Sequence, residues 1–323
     1  MFEMWILFAF ASAFFAGMTS VLAKIGLQKT DSNLATALRT IVVLIFAWFI
    51  VIYSGVFDEV WEISHKSLLF LVLSGITTGA SWICYFKALQ IGDVSKVVPV
   101  DKSSTIITMI LAFLILREPV AMNMLLGMII IGAGTYLMIL KKNDSKNNSK
   151  NNSKNGESAF PEETGKKSNL TDQKSERKSN LINQKWLIFA FLSALFAALT
   201  AILAKIGIED VDSNLGTAVR TVVVLIMAWI VVFYSGKQKD ILNIDRKSWV
   251  FIILSGLTTG LSWLFFFGAL KDGLAGVVVP IDKLSILVTV AFAFVFLKER
   301  MTKKYWFGLL LLTAGTLLLL VQF

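Results

Sequence analysis

Apolar residues fall into stretches of about twenty, separated by short polar punctuation. The stretches lie at residues 4–22, 34–54, 67–87, 95–116, 122–140, 186–203, 215–235, 248–268, 276–297 and 305–322. A helix needs about 20 apolar residues to cross a hydrocarbon core. None of the stretches alternates strictly, as a barrel strand would, so the pattern predicts ten transmembrane helices. Some links are very short, such as the few residues around Arg117 and Glu118 between the fourth and fifth stretches. Such links make neighbouring helices antiparallel. The first stretch follows Glu3 with no Lys/Arg-rich leader and is long enough to span, so no cleavable signal peptide is expected.

Residues 142–185 break this pattern with an Asn-, Ser- and Lys-rich run almost free of large apolar side chains. Such a run cannot bury enough surface to offset its ordering entropy and is predicted to be a disordered linker. Sequons such as those at Asn147 and Asn169 are attributed to the Asn-rich composition rather than to glycosylation.

The halves flanking the linker repeat one another. A shift of 181 residues aligns 1–142 with 182–323 without a gap. The segment 24–48 matches 205–229 at 17 of 25 positions, which excludes chance similarity of two apolar stretches. Gly75-x-x-x-Gly79 recurs as Gly256-x-x-x-Gly260, and VVPVDKSS (97–104) recurs as VVPIDKLS (278–285). The organisation is therefore repeat 1 (1–142), linker (143–181) and repeat 2 (182–323). Five spans per repeat is an odd number, so the second copy must enter the membrane upside down relative to the first.

Charge tests that inversion. On the face holding the N-terminus, repeat 1 carries Lys66 and Arg117 against Glu3, Asp58, Glu59, Glu62 and Glu118. The equivalent loops of repeat 2 carry eight basic residues, Lys237, Lys239, Arg246, Lys247, Lys298, Arg300, Lys303 and Lys304, against Asp240, Asp245 and Glu299. The positive-inside rule then places the linker in the cytoplasm and both termini outside. The net charge of +9 is thus an orientation signal rather than a nucleic-acid footprint. With 56% apolar and 16% charged residues, the composition excludes a soluble globule. One Cys and one His leave no disulfide and little for a metal, so no metal site and no cofactor are expected.

Some charges persist in both copies despite the inversion: Lys24/Lys205, Asp31/Asp212, Arg39/Arg220, Asp101/Asp282 and Lys102/Lys283. Orientation alone would have let them diverge. A charge inside a bilayer is a functional-site hypothesis by default. Helix rise puts Arg39 and Asp101 each about 6 Å inside the hydrocarbon edge, with their copies at the same depth from the opposite side. This predicts two polar clusters, one per vestibule. Snorkelling to the interface is the alternative, and it is favoured for Lys24 and Lys205, near span ends. Pro99 and Pro280 precede the Asp-Lys pairs. They mark either a plain helix start or a half-helix end that could hold substrate or ions. Trp82 with Tyr85, and Trp263 with Phe266, form aromatic stripes that suit either helix packing or a cavity wall. The Gly-x-x-x-Gly pairs are read as close helix contacts, His65 as a solvated loop residue and Cys84 as packing.

The TALRT segment (36–40), SW…YFKAL (81–89), VVPVDKSS and its copy, and the glycines of the last spans (Gly127, Gly134, Gly308, Gly315) together resemble the EamA domain of the drug/metabolite transporter superfamily. The resemblance covers both halves and omits only the linker. It implies a basket of ten helices around a central cavity, in an all-α integral membrane protein of the plasma membrane, prokaryotic in type. It also implies export or exchange of small metabolites, amino acids or drugs. Cavities of that family are lined mainly by spans one, three and four and their copies, which points here to Trp82, Tyr85, Pro99, Ser103, Trp263, Phe266, Pro280 and Ser285. The charge-derived orientation departs from the usual one of that family, whose ten-span members keep both termini inside.

The leading functional expectation is a secondary transporter working by alternating access. Its candidate substrate and ion residues are those eight together with Arg39, Asp101, Lys102, Arg220, Asp282 and Lys283. The cationic excess favours an anionic or zwitterionic substrate, and an aspartate is the natural carrier if protons are the coupling ion. Expected partners are a small-molecule substrate and the bilayer, not nucleic acid. An intramembrane enzyme is the less favoured alternative, since no HExxH and no His/Cys pair is present. A non-transporting scaffold or regulator, acting through the linker, is the alternative.

Overall fold

Asp31 shows how the helices begin. Its carboxylate accepts hydrogen bonds from the backbone N–H groups of Asn33 (3.0 Å) and Leu34 (3.2 Å), closing the first turn of the helix that follows. Asp212 does the same for Asn214 (2.9 Å) and Leu215 (3.2 Å). Both aspartates thus have the same local role, capping a helix in each repeat.

The structure is a computed structural model. It describes residues 4–26, 30–91, 97, 100–101, 103–119, 121–139, 168–296 and 303–322. Repeat 1 contributes α1 (Met4–Gly26), α2 (Ser32–Tyr53), α3 (His65–Ile91), α4 (Ser104–Leu111) and α5 (Met122–Ile139). A π-helical turn, Ala112–Leu116, continues α4. Then come α6 (Ser168–Gly207), α7 (Ser213–Tyr234), α8 (Arg246–Asp272), α9 (Ala275–Lys283), α10 (Ser285–Phe296) and α11 (Lys303–Leu318). No strand occurs among the described residues.

Among the described residues, seven helices are long and apolar enough to cross a membrane, and Ser104–Leu116 and Met122–Met138 are shorter apolar helices. The sequence predicts ten. Three stretches make the difference: Met122–Met138 is short of a full span, part of 95–116 lies outside the described residues, and 276–297 is divided. The stretch 276–297 is divided into α9 and α10 at Leu284, whose N–H donates to the Ile281 carbonyl at 2.9 Å, a tight i→i−3 turn. The Ser103 N–H bonds the Val100 carbonyl in the same way at 3.1 Å. Pro280 lies inside α9, where it withdraws one backbone donor and loosens the ladder. Neither α9 nor α10 is long enough to count alone.

Two elements begin elsewhere than the pattern predicts. α6 starts at Ser168, inside the segment expected to be a disordered linker, whose part 143–167 lies outside the described residues. Beyond Gly165 no Gly or Pro interrupts the run into the apolar stretch, so a helix nucleated in the membrane can propagate backwards through Gln, Glu, Lys and Arg, all good helix formers. His65, expected in a loop, is the exposed first residue of α3.

Helices pair across the repeats. α1 lies along α8 and α3 along α6; α2 pairs with α7 and α5 with α11. End contacts fix their directions. Lys66 at the start of α3 lies 4.0 Å from Glu209, just after α6. Asn33 at the start of α2 donates to Ser235, just after α7, at 3.4 Å. α3 thus runs antiparallel to α6, and α2 antiparallel to its own copy, α7. α5 and α11 meet backbone to backbone: a Cβ on Gly134 would stand 2.7 Å from the Gly308 carbonyl oxygen, and a Cβ on Gly308 the same distance from that of Gly134. The Gly-x-x-x-Gly pairs act likewise, Gly75 and Gly79 receiving Val223 and Met227, and Gly256 and Gly260 receiving Val42 and Phe46.

The outside of the bundle is apolar. Phe49, Ile52, Phe191, Ile226 and Leu310 are all exposed, a surface that suits lipid and not water. Inside, threonine hydroxyls return to carbonyls one turn back, as Thr40 does to Thr36 at 2.8 Å and Thr221 to Thr217 at 2.6 Å, which satisfies these donors within their own helices.

Candidate functional site

At the centre lies a cavity of about 240 Å³. Helices of both repeats line it: Ala16 from α1, Thr78 and Trp82 from α3, Thr108 from α4, Thr200 from α6, Arg220 from α7, Trp263 from α8 and Asp282 from α9. The most unusual of these is Arg220, a guanidinium only 2% exposed. Its Nε donates to Ser74 Oγ at 3.3 Å and its Nη2 to Thr78 Oγ1 at 2.8 Å. Its Cζ lies 4.3 Å from the Phe267 ring centroid and 5.3 Å from that of Trp263, within cation–π range. No carboxylate lies within ion-pair distance of it among the described residues.

Asp282 forms the second polar centre. Ser12 Oγ donates to its Oδ1 at 2.6 Å, and Ser12 also stands 3.3 Å from Ser262 Oγ. The same triad recurs with the repeats exchanged: Ser193 Oγ donates to Asp101 Oδ1 at 2.8 Å and lies 3.3 Å from Ser81 Oγ. Each aspartate is therefore held by a serine from the other repeat. A threonine ladder continues the relationship, with Thr19 bonded to Thr258 at 3.0 Å and Thr200 within 3.1 Å of Thr77.

The two halves are not in equivalent surroundings. Of the candidates named from sequence, Trp82, Arg220, Trp263, Phe266, Asp282 and Lys283 line the cavity. Arg39, Tyr85, Asp101, Ser103 and Ser285 do not line it, although Asp101 keeps its serine partner. Ser103 Oγ instead donates to the Val100 carbonyl at 2.6 Å, within its own turn. Pro280 borders a separate small void with Thr135 and Thr316. Pro99 and Lys102 lie outside the described residues, as does the side chain of Lys24. Arg39 is partly exposed, whereas Arg220 is buried.

Two charges have roles that a loop count misses. Glu118 is 5% exposed, and its carboxylate accepts from the backbone N–H groups of Ala275 (2.6 Å) and Gly276 (2.9 Å). It caps α9, the half-helix that carries Asp282, so its value lies in this bond across the repeats and not in orientation. The signal was its recurrence as Glu299. Lys205 donates to the carbonyls of Leu270 (2.9 Å) and Gly273. It closes the C-terminus of α8 rather than snorkelling to the interface. Among the described residues no His/Cys/Asp/Glu group of three or more is placed to hold a metal.

The EamA-like transporter family matches residues 3–140 and 184–321, one copy per repeat. The chain is 44% identical over 140 residues to an uncharacterised transporter of the cobO 3' region in Sinorhizobium sp.. That match covers 43% of this chain and 99% of the relative, which is about one repeat long. An uncharacterised protein of Methanocaldococcus jannaschii is 30% identical over 136 residues, covering 42% of this chain and 96% of its own length. A protein of known crystal structure, 13% identical, superposes with a TM-score of 0.71 over 98% of this chain and 97% of its own, and so shares the fold. Two family matches in register with the internal repeat, on a multi-pass helical bundle, place this chain in the EamA-like transporter family.

Proposed function

We propose that the protein is a secondary transporter that moves a small metabolite, amino acid or drug across the plasma membrane by alternating access, with ten spans in two inverted repeats. The observation that carries this reading is the unequal environment of equivalent residues. Arg220 is buried in a cavity and bonded to Ser74 and Thr78; Arg39, its copy, is partly exposed and outside that cavity. Two copies of one sequence in two surroundings are what one state of a rocking, pseudo-symmetric transporter requires. The antiparallel pairing of α2 with α7 and of α5 with α11 supports the inversion. The charge bias supports a cytoplasmic linker and external termini.

Within this reading Arg220, Trp82, Trp263, Phe266, Asp282 and Lys283 form the substrate site of the present state. Arg39, Tyr85, Pro99, Asp101, Lys102, Ser103, Pro280 and Ser285 belong to its exchange partner or to the hinges. Asp282 and Asp101 are the candidate proton carriers. The test is counterflow into proteoliposomes with a panel of amino acids, organic acids and cationic drugs. Saturable exchange of at least one class, lost in Arg220→Gln, is expected; no saturable exchange across the panel overturns the transport reading. Reporters fused to each terminus check the orientation.

A further inference from the structure

The charges of the cavity do not balance, and the imbalance has a chemical identity. Among the described residues that line it, Arg220 and Lys283 bring two positive charges to the wall, and Asp282, counted as a carboxylate, brings one negative. The excess is one positive charge, in a place where membrane and protein shield it poorly from its own desolvation cost. Arg220 is held as if to receive an anion. Its Nε and Nη2 point to hydroxyls, the rings of Phe267 and Trp263 support its face, and Nη1 has no acceptor among the described residues. A planar guanidinium with a free edge matches a planar carboxylate. Trp82, Trp263 and Phe266 give the cavity an aromatic surface alongside the hydroxyls of Ser104, Thr108, Thr200 and Ser262.

We infer that the cavity takes an organic monoanion, a single carboxylate on an apolar body, with the carboxylate on Arg220 and the body against Trp82, Trp263 and Phe266. One negative charge neutralises the excess; a dianion would overshoot it, and a cation would add to it. This rests on the reading of the cavity as the substrate site. The hydroxyls of Ser74 and Thr78 fix the plane of the guanidinium, so Thr78 is a positioning residue.

Three probes of one shape separate the charge from the shape: phenylacetate, phenylacetamide and phenethylamine, each titrated against the purified full chain in a thermal-shift measurement, where a ligand of the folded state raises the unfolding temperature. Phenylacetate should give a saturating rise, and the amide and the amine little or none. Inorganic phosphate, an oxyanion without an apolar body, should also give none. Arg220→Gln should abolish the rise, and Arg220→Lys, which cannot offer two parallel donors, should weaken the apparent affinity by roughly tenfold or more. If the Arg220 variants fail to fold, Thr78→Val is read instead, and a several-fold weakening for phenylacetate is expected. Equal shifts with all three probes, a shift with the amine alone, or no shift with phenylacetate overturns the inference. Phenylacetate binding without carboxylate flux in proteoliposomes would keep this site and overturn transport. Flux of a neutral or cationic solute without phenylacetate binding would do the reverse.

Discussion

Removing the Glu118 side chain should loosen the protein far more than an ordinary loop mutation does. In Glu118→Ala the N–H groups of Ala275 and Gly276 lose an acceptor at 2.6 and 2.9 Å, in a place where the carboxylate is 5% exposed. Hydrogen bonds to a charged group contribute about 1.5–3 kcal/mol each. Both bonds go at once, and some of the loss is recovered by water entering the gap, so we expect about 3 kcal/mol of destabilisation. Glu118→Gln keeps one carbonyl oxygen as acceptor but sets its amide NH2 against the other backbone N–H and drops the charge that complements the helix N-terminus, and should cost about 2 kcal/mol. The control is the neighbouring Arg117→Gln, an exposed side chain, which should change little. The assay is equilibrium unfolding in mixed micelles with increasing SDS, followed by tryptophan fluorescence. If Glu118→Ala unfolds within about 0.5 kcal/mol of wild type, the spread of ordinary surface substitutions, the reasoning about this cap is wrong.

Other outcomes follow from the same geometry. Arg117 has φ +54°, in the left-handed region, so Arg117→Gly should be neutral or stabilising by up to about 1 kcal/mol in the same unfolding assay. Asp212→Ala should cost about 1 kcal/mol by uncapping α7, and Asp212→Asn should restore most of it. Gly308→Leu places a side chain against the Gly134 carbonyl oxygen and should separate α5 from α11, read as a fall in thermal stability of at least about 1–3 kcal/mol. Asp282→Asn keeps an oxygen that can accept from Ser12, so membrane insertion and stability should be near wild type while flux is abolished; wild-type flux in both Asp282→Asn and Asp101→Asn would remove the aspartates from the mechanism.

The repeat and the long helices were legible because a bilayer writes its thickness into the sequence and a duplication is its own alignment. The charges that persist in both copies were found the same way, but their roles divided. Asp31 and Asp212 proved to be caps, and Lys205 closes the C-terminus of α8; a charge that two inverted copies both need for local geometry leaves the same trace as one needed for substrate. Glu118 was miscounted because its partner, Ala275, is 157 positions away in the other repeat, and no local pattern encodes such a contact. Ser12 and Ser193 were missed outright. A single serine in an apolar helix carries no signal, and only their spacing by the repeat shift could have drawn attention to them. The interruptions at Ser103 and Leu284 were half visible through Pro99 and Pro280, which mark a weak ladder without saying where it tightens.

The exchange of partners between repeats sets an order on synthesis. Ser12 enters the membrane early, yet the groups that receive it, Ser262 and Asp282, lie 250 and 270 residues downstream. Until α8 and α9 emerge from the ribosome, the Ser12 hydroxyl of the first repeat lacks the groups that receive it in the finished bundle. Joining both halves in one chain does not add a contact to the finished bundle. It ensures that the missing half arrives beside the waiting one, in equal number and at high local concentration.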